Sequence, residues 1–473
     1  MEKAEAIRKF GTAPVYFTAV STILGAILFL RFGFAVGTLG FWGTLLLILM
    51  GHAVTIPTAL AISELATNKR VEGGGEYFLI SRSFGLNIGA TIGIALFLSQ
   101  AISFAFYIIA FTEAFEFFFD FMVTRLSVVV PRQVISLPVT FILGLMILRK
   151  GSGTGVRMLY IVVAVLFITL LLFLLGRPAE GSLAPGQLPV GDIRNLGDFF
   201  IVFAICFPAF TGMTAGVGLS GDLRNPARAI PRGTILATLT GIVVYIFVIW
   251  KLAVSASPEE MLENQLIMGR IAIGGAVIVP LGLAASTLSS ALGSMLVAPR
   301  TLQALAKDTS FPSARMNRWL SASRNSDGEP VNATLVTLTI AFVFVALGNV
   351  NAVAEIISMF FLVTYGSLCL ISFLNHFGSS PSYRPSFRSK WYLSLTGFAV
   401  AVLVMFRINT LYALTATVLI VILYSYINHY HKSRTGLESL FANVLFQINR
   451  NLQVFLQKSE SRRKIREWRP GVI

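Results

Sequence analysis

The sequence predicts an all-α protein that threads a lipid bilayer twelve times, and three observations carry this. Apolar residues make up 55% of the 473 residues and charged ones only 12%, against about 25% charged in a soluble domain. Uncharged runs of span length recur from residue 13 to residue 429, and a bilayer-crossing helix needs roughly 20 apolar residues. The basic residues, finally, gather on alternate connecting segments. Together these exclude a soluble enzyme, a secreted disulfide scaffold and a disordered chain. An outer-membrane barrel is excluded because its strands alternate over about 10 residues instead of running apolar.

In chain order the runs are 13–36, 41–65, 86–119, 128–148, 157–176, 199–220, 233–254, 271–298, 333–349, 353–377, 391–407 and 410–429. With residues 1–12 placed in the cytoplasm, the cytoplasmic segments, with Arg157 at the inner end of the fifth run, hold 29 of the 37 Lys and Arg. Positive charge marks the cytoplasmic side, so both termini are expected inside a cell (plasma) membrane. The net charge of +15 is therefore a topology signal, and a nucleic-acid partner is not expected. The twelve-helix unit covers 13–429, and residues 430–473 form a cytoplasmic tail. Cys206 and Cys369 fall within spans, and the four histidines lack zinc-ligand spacing, so neither a disulfide framework nor a transition-metal site is expected. No nucleophile, base and orienting group converge, so neither catalysis nor a cofactor is expected.

Two spans look interrupted. The first places Ser21, Thr22 and Gly25 mid-span, and the sixth places Pro208, Thr211 and Gly212 there. Proline lacks an N–H and clashes with the carbonyl four residues earlier, which releases backbone oxygens. Broken helices are tolerated in a membrane only where the freed groups meet protein, water or ligand. Breaks in spans one and six are what a five-plus-five inverted repeat produces, with a midplane site between two discontinuous helices. The blander reading of each break, a proline kink beside a packing glycine, loses ground because the positions match.

The middles of spans 1, 3, 6, 8 and 10 contain no Asp, Glu, Lys or Arg. Freed carbonyls and hydroxyls suit Na⁺ or K⁺, yet an unneutralised cation in a low-dielectric site costs several kcal/mol. Helix N-termini present free N–H groups and about half a positive charge to an anion. A cation and an anion are therefore expected to enter together, or a zwitterion.

Longer motifs extend this reading. They are Gly73-Gly-Gly-Glu-Tyr-Phe-Leu-Ile-Ser-Arg-Ser-Phe-Gly85, Ser220-Gly-Asp-Leu-Arg-Asn-Pro-Ala-Arg-Ala-Ile-Pro-Arg-Gly-Thr234, Ser286-Thr-Leu-Ser-Ser-Ala-Leu292, Ala298-Pro-Arg-Thr-Leu-Gln-Ala-Leu-Ala-Lys-Asp308 and Tyr383-Arg-Pro-Ser-Phe387. In this order they resemble the cation–chloride cotransporters, a branch of the amino acid–polyamine–organocation superfamily, from about residue 11 to the C-terminus. The resemblance implies a K⁺ site at Thr22, Ile23, Tyr107, Pro208 and Thr211, with Thr22 standing where several relatives carry Asn. It implies a Na⁺ site at Ser21, Leu24, Ser286, Ser289 and Ser290. Relatives that move K⁺ without Na⁺ lack the serine pair, so its presence favours sodium coupling. One chloride site would use the amides of Gly25, Ala26 and Ile27. The second would use those of Gly212, Met213 and Thr214 with the Tyr365 hydroxyl. Transport of chloride with Na⁺, K⁺ or both, with no net charge moved, is the function implied.

Alternatives stay open. An amino-acid permease on the same fold would grip a carboxylate and an ammonium at the two breaks, although span 1 carries one glycine where such permeases typically show a GxG-like run. A non-transporting accessory subunit is the third class. In the tail, Leu437, Leu440, Phe441, Val444, Leu445, Ile448, Leu452 and Phe455 recur at helical spacing, ahead of the basic run Arg462-Arg-Lys-Ile-Arg466. This amphipathic helix is expected either to join two copies into a homodimer, as the resemblance implies, or to lie on anionic lipid.

Overall fold

The computed structural model describes residues 10–68, 75–150, 155–178, 196–324, 329–378, 383–431, 445–446, 448–450 and 452–457. The basic run 462–466 and positions 437, 440, 441 and 444 of the tail lie outside the described residues. So do Gly73 and Gly74. Among the described residues the protein is helical, with one isolated bridge between Phe10 and Leu223.

The chain opens with α1 (Thr12–Ile23), α2 (Ala26–Leu30) and α3 (Phe32–Asn68). α3 is one helix by its bonding, but Gly40 inside it has φ +67° and ψ −178°. That conformation is open to glycine at low cost, and here it bends the chain between the first and second crossings. α4 (Glu76–Phe84) lies between Gly75 and Gly85, both at positive φ, and precedes α5 (Leu86–Glu113). α6 (Glu116–Leu126), α7 (Gln133–Lys150), α8 (Gly155–Leu174) and α9 (Leu196–Cys206) follow. α9 runs into a 3-10 segment, Phe207–Asp222. α10 (Pro226–Ser255), α11 (Pro258–Glu263), α12 (Ile267–Ile271), α13 (Gly275–Lys307) and α14 (Ala314–Ser321) come next. α15 (Val331–Leu347), α16 (Val350–Gly378), α17 (Trp391–Ile408) and α18 (Thr410–Tyr430) close the bundle.

Nine stretches among the described residues are long and apolar enough to cross a membrane, and three shorter apolar helices, within α7, α8 and α15, accompany them. This agrees with twelve crossings and with a two-fold repeat of five. Two boundaries differ from expectation. The third run, read as 86–119, is two helices, because α5 stops at Glu113 and the chain turns through Ala114 and Phe115. The fourth starts at Gln133 instead of 128, beyond the irregular segment at Val128–Pro131.

Polar contacts at the two ends follow the predicted alternation of sides. At one end Arg82 pairs with Asp308 at 3.0 Å, Asn87 meets Asn428 at 3.0 Å, and Tyr383 and Ser389 donate to Glu64. At the other, Arg31 donates to Asn351 and Gln265, Arg132 pairs with Glu113, and Lys251 donates to the Gly176 carbonyl. α5 forms the centre, with 89% of its apolar window buried, whereas α18 has 11% buried. The exposed side chains of α18, including Leu411, Leu414 and Val418, form the apolar belt that hydrocarbon would cover.

Candidate ion-binding site

Both interruptions are present, and they differ in kind. Between α1 and α2 the helix opens at Leu24 (φ −80°, ψ +37°) and Gly25 (φ −89°, ψ −150°). The last carbonyls of α1 and the first amides of α2 therefore lose their partners within the helix. In the sixth crossing the expected gap at Pro208 takes another form. From Phe207 the backbone tightens into the 3-10 segment, whose i to i+3 bonds have poorer geometry than α-helical ones. Proline alone does not decide this, since Pro57, Pro138, Pro231, Pro280 and Pro299 sit inside continuous helices.

The two breaks touch. A Cβ added to Gly212 would fall 2.5 Å from the Ile23 nitrogen and 2.7 Å from the Thr22 carbonyl carbon, and one added to Gly25 would fall 2.7 Å from the Thr22 oxygen. Glycine is needed at both positions because another backbone occupies the space of a side chain. Tyr245 of α10, which sequence reasoning missed, joins the breaks. Its hydroxyl lies 2.5 Å from the Ile23 carbonyl and 2.8 Å from that of Ala209, and its single proton is shared between them. No local motif marks Tyr245; the signal is a lone tyrosine midway along the seventh run. Phe32 and Phe210 pack edge-on against its ring and His52 stacks on it, which fixes the hydroxyl.

The residues expected to hold K⁺ gather here. Thr22 and Ile23 form the break in the first crossing, and the Thr211 hydroxyl donates to the Pro208 carbonyl at 2.8 Å. Tyr107 on α5 is buried, and its ring packs edge-on against Phe106. The sodium set lies where α1 meets α13. The Ser289 hydroxyl is 3.4 Å from that of Ser21 and 3.5 Å separates Ser290 Oγ from the Cβ position of Gly25. Ser286 donates to the Leu283 carbonyl and Ser21 to that of Thr18, the ordinary back-bonding of helix serines. Ser290 differs: its hydroxyl is buried without a hydrogen-bond partner among the described residues, and such a group calls for an explanation. Leu24 contributes backbone only, at the break itself.

Of the anion sets, Gly25, Ala26 and Ile27 begin the second half of the first crossing. Gly212, Met213 and Thr214 lie in the 3-10 segment, and Tyr365 of α16 reaches them. Its hydroxyl donates to the Thr211 carbonyl at 2.5 Å and lies 3.3 Å from the Thr214 hydroxyl. A cavity of about 190 Å³ is lined by Thr18, Ala215, Gly218 and Ser289. A more polar one of about 550 Å³, lined by Glu116, Asp120, Glu260 and Arg270 among others, opens at the opposite end.

Nothing within the span middles is a carboxylate, but Glu76 of α4 enters from outside the spans. It is 4% exposed and lies beside Thr214. Gly75, at φ +56°, lies against Gly218 and makes that approach possible. Burial pushes the Glu76 carboxyl up to about 8 from its usual 4.5.

Comparison with known proteins decides the family. The family model described as "Amino acid permease" matches residues 15–467. The chain belongs to the amino acid permease family. Within it the chain is similar to solute carrier family 12 member 2 of Homo sapiens, 30% identical over 481 residues, covering 90% of this chain and 39% of that one. Solute carrier family 12 member 1 of Homo sapiens is 30% identical over 89% of this chain and 42% of its own. Cation-chloride cotransporter 1 of Oryza sativa subsp. japonica is 30% identical over 89% of this chain and 47% of its own. The chain thus spans less than half the length of these relatives, and each similarity covers about nine-tenths of this chain. Like other permeases of the family it is a multi-pass membrane protein.

Proposed function

We propose that this permease-family protein is a secondary symporter that moves chloride together with Na⁺, K⁺ or both, without net charge transfer. The observation that carries the reading is the contact of the two interrupted crossings at Gly212, Thr22 and Ile23, ringed by Ser21, Ser289, Ser290, Tyr107 and Tyr365. Hydroxyls and freed carbonyls present oxygen to cations, and freed amides present N–H to anions. A cation–anion pair neutralises itself, which avoids the cost of burying either ion alone. Similarity to plant proteins named cation-chloride cotransporters supports the choice of ions.

In this reading K⁺ is held by Thr22, Ile23, Tyr107, Pro208 and Thr211. Na⁺ is held by Ser21, Leu24, Ser286, Ser289 and Ser290, and the unpartnered Ser290 hydroxyl gains a ligand to bind. Chloride takes the amides at Gly25–Ile27 and at Gly212–Thr214 with Tyr365. The bundle rocks about this midplane site, in a plasma membrane, with both termini cytoplasmic and two copies paired.

The test is rubidium tracer uptake into proteoliposomes, with and without Na⁺, and with chloride or gluconate outside. Uptake that requires chloride and ignores an imposed voltage is the expected result. Loss of uptake without sodium assigns the serine pair a working role. If no condition gives rubidium uptake but a labelled amino acid enters, the protein is a permease for amino acids and the ion-symport reading is wrong.

A further inference from the structure

Glu76 has no part in the ion sites described, yet it is the buried acid that reaches them. Its carboxyl lies beside Thr214, whose hydroxyl donates to the Thr211 carbonyl and lies 3.3 Å from that of Tyr365, and Tyr365 in turn donates to the Thr211 carbonyl. One carboxyl oxygen, Oε2, is buried without a hydrogen-bond partner among the described residues. Glu76 also feels Tyr365 electrostatically.

The elements packed against α4 are α3, α5, α13, α16 and the 3-10 segment, and among the described residues none brings a cation to this carboxyl. On α3, His52 bonds Thr55, and Glu64 is engaged by Ser372, Tyr383, Ser389 and His376. On α5, Glu113 pairs with Arg132 at the far end, and Tyr107 packs against Phe106. Arg300 of α13 pairs with Glu329, and Lys307 is exposed. Asp308, which caps α13, holds Arg82 and Tyr77. On α16, Glu355 lies toward the far end and His376 belongs to the Glu64 cluster. Tyr365 is the titratable neighbour that faces Glu76.

A carboxylate and a chloride cannot share Thr214 and Tyr365, because both are acceptors that need the same hydroxyl donors and their charges repel. A neutral carboxyl removes the repulsion and adds a donor. We propose that Glu76 is a proton-binding site coupled to the anion at Thr214 and Tyr365: the anion binds there when the carboxyl is protonated, and the ionised carboxylate takes its place when it is not. This rests on the chloride reading of the preceding section. It makes chloride binding at this position a proton-uptake event, and the carboxylate a tethered substitute for one anion.

The experiment uses the purified full chain in lipid nanodiscs, with radioactive chloride binding and a pH-indicating dye in weak buffer. Burial places the Glu76 carboxyl at about 8, so one obligatory proton makes chloride affinity about tenfold weaker at pH 9 than at pH 7. Adding chloride at pH 8.5 should alkalinise the medium by up to one proton per chain. Glu76→Gln should abolish the proton uptake and hold chloride affinity at its low-pH value across the range. Chloride binding in the unaltered protein with the same affinity from pH 6.5 to 9.5 and no proton uptake overturns the proposal, and needs no variant to fold. Absence of chloride binding at every pH overturns the chloride reading itself.

Discussion

In the proposed reading, Tyr107 belongs to the potassium site and Ser290 to the sodium site, so single-atom changes distinguish the two. Removing one hydroxyl that ligates a cation forfeits roughly 1.5–3 kcal/mol, which is a factor of ten or more in affinity. Tyr107→Phe should raise the rubidium concentration for half-maximal uptake about tenfold and leave sodium dependence nearly unchanged, and Ser290→Ala should do the reverse. Equal losses for all ions in both variants would refute distinct sites. Glu76 gives a stability prediction. Its carboxyl sits at about 8 in the fold and 4.5 when unfolded, so the folded protein holds a proton that the unfolded chain gives up. Stability from this group is complete below pH 4.5, falls as pH rises and is lost above about 8. Thermal unfolding followed from pH 5 to 9 should show that decline in the natural protein and a flatter profile in Glu76→Gln. The Tyr383 motif has a structural part here, because its hydroxyl donates to Glu64 at 3.0 Å and ties the segment before α17 to α3.

At the scale of elements, the two interrupted crossings meet because a glycine lets the 3-10 segment lie on the break in the first crossing. Gly212→Ala would set a methyl 2.5 Å from backbone that has no rotamer to change. Overpacking of this kind costs about 1–3 kcal/mol, and it would also part the two crossings. Uptake should fall below detection and the melting temperature should drop. Gly11→Ala, which meets nothing within 4 Å, is the matched control, and equal behaviour of the two would disprove the role of the contact. The breaks themselves were legible as Ser, Thr, Gly and Pro in the middle of two apolar runs. Their form was not: one is an open gap, the other a change of helix type, and five other helix prolines cause neither.

For the whole molecule, the apolar bundle and the alternation of basic segments follow from composition and spacing, and the polar contacts at each end agree with them. The tail is a separate question of assembly. Leu445, Phe446, Leu452 and Phe455 are exposed on this single chain, an apolar face that a second copy or lipid would cover. Deleting 435–473 should convert a dimer to monomers, read by light scattering in nanodiscs. A dimer that survives the deletion at unchanged affinity would assign the helix to the lipid surface instead. Transport by the unaltered protein should stay insensitive to imposed voltage if the proposed cation–chloride pair, which carries no net charge, is what moves.

Hydropathy, charge placement and the two interrupted runs are one-dimensional properties, so the sequence by itself determined the membrane class, the sidedness expected and which crossings are interrupted. The motif order carried the family resemblance for the same reason. Residues that act by reaching across the bundle left no such trace. Tyr245 meets carbonyls of Ile23 and Ala209 from a run with nothing unusual in it. Glu76 reads as a loop residue after a glycine run, and only the positive φ of Gly75 and its seat against Gly218 turn it into the 3-10 segment. Periodicity records which face of a helix is apolar. Which side chain from which distant element meets a freed backbone group is settled by packing, and so the charge balance of the site was decided by the tertiary structure alone.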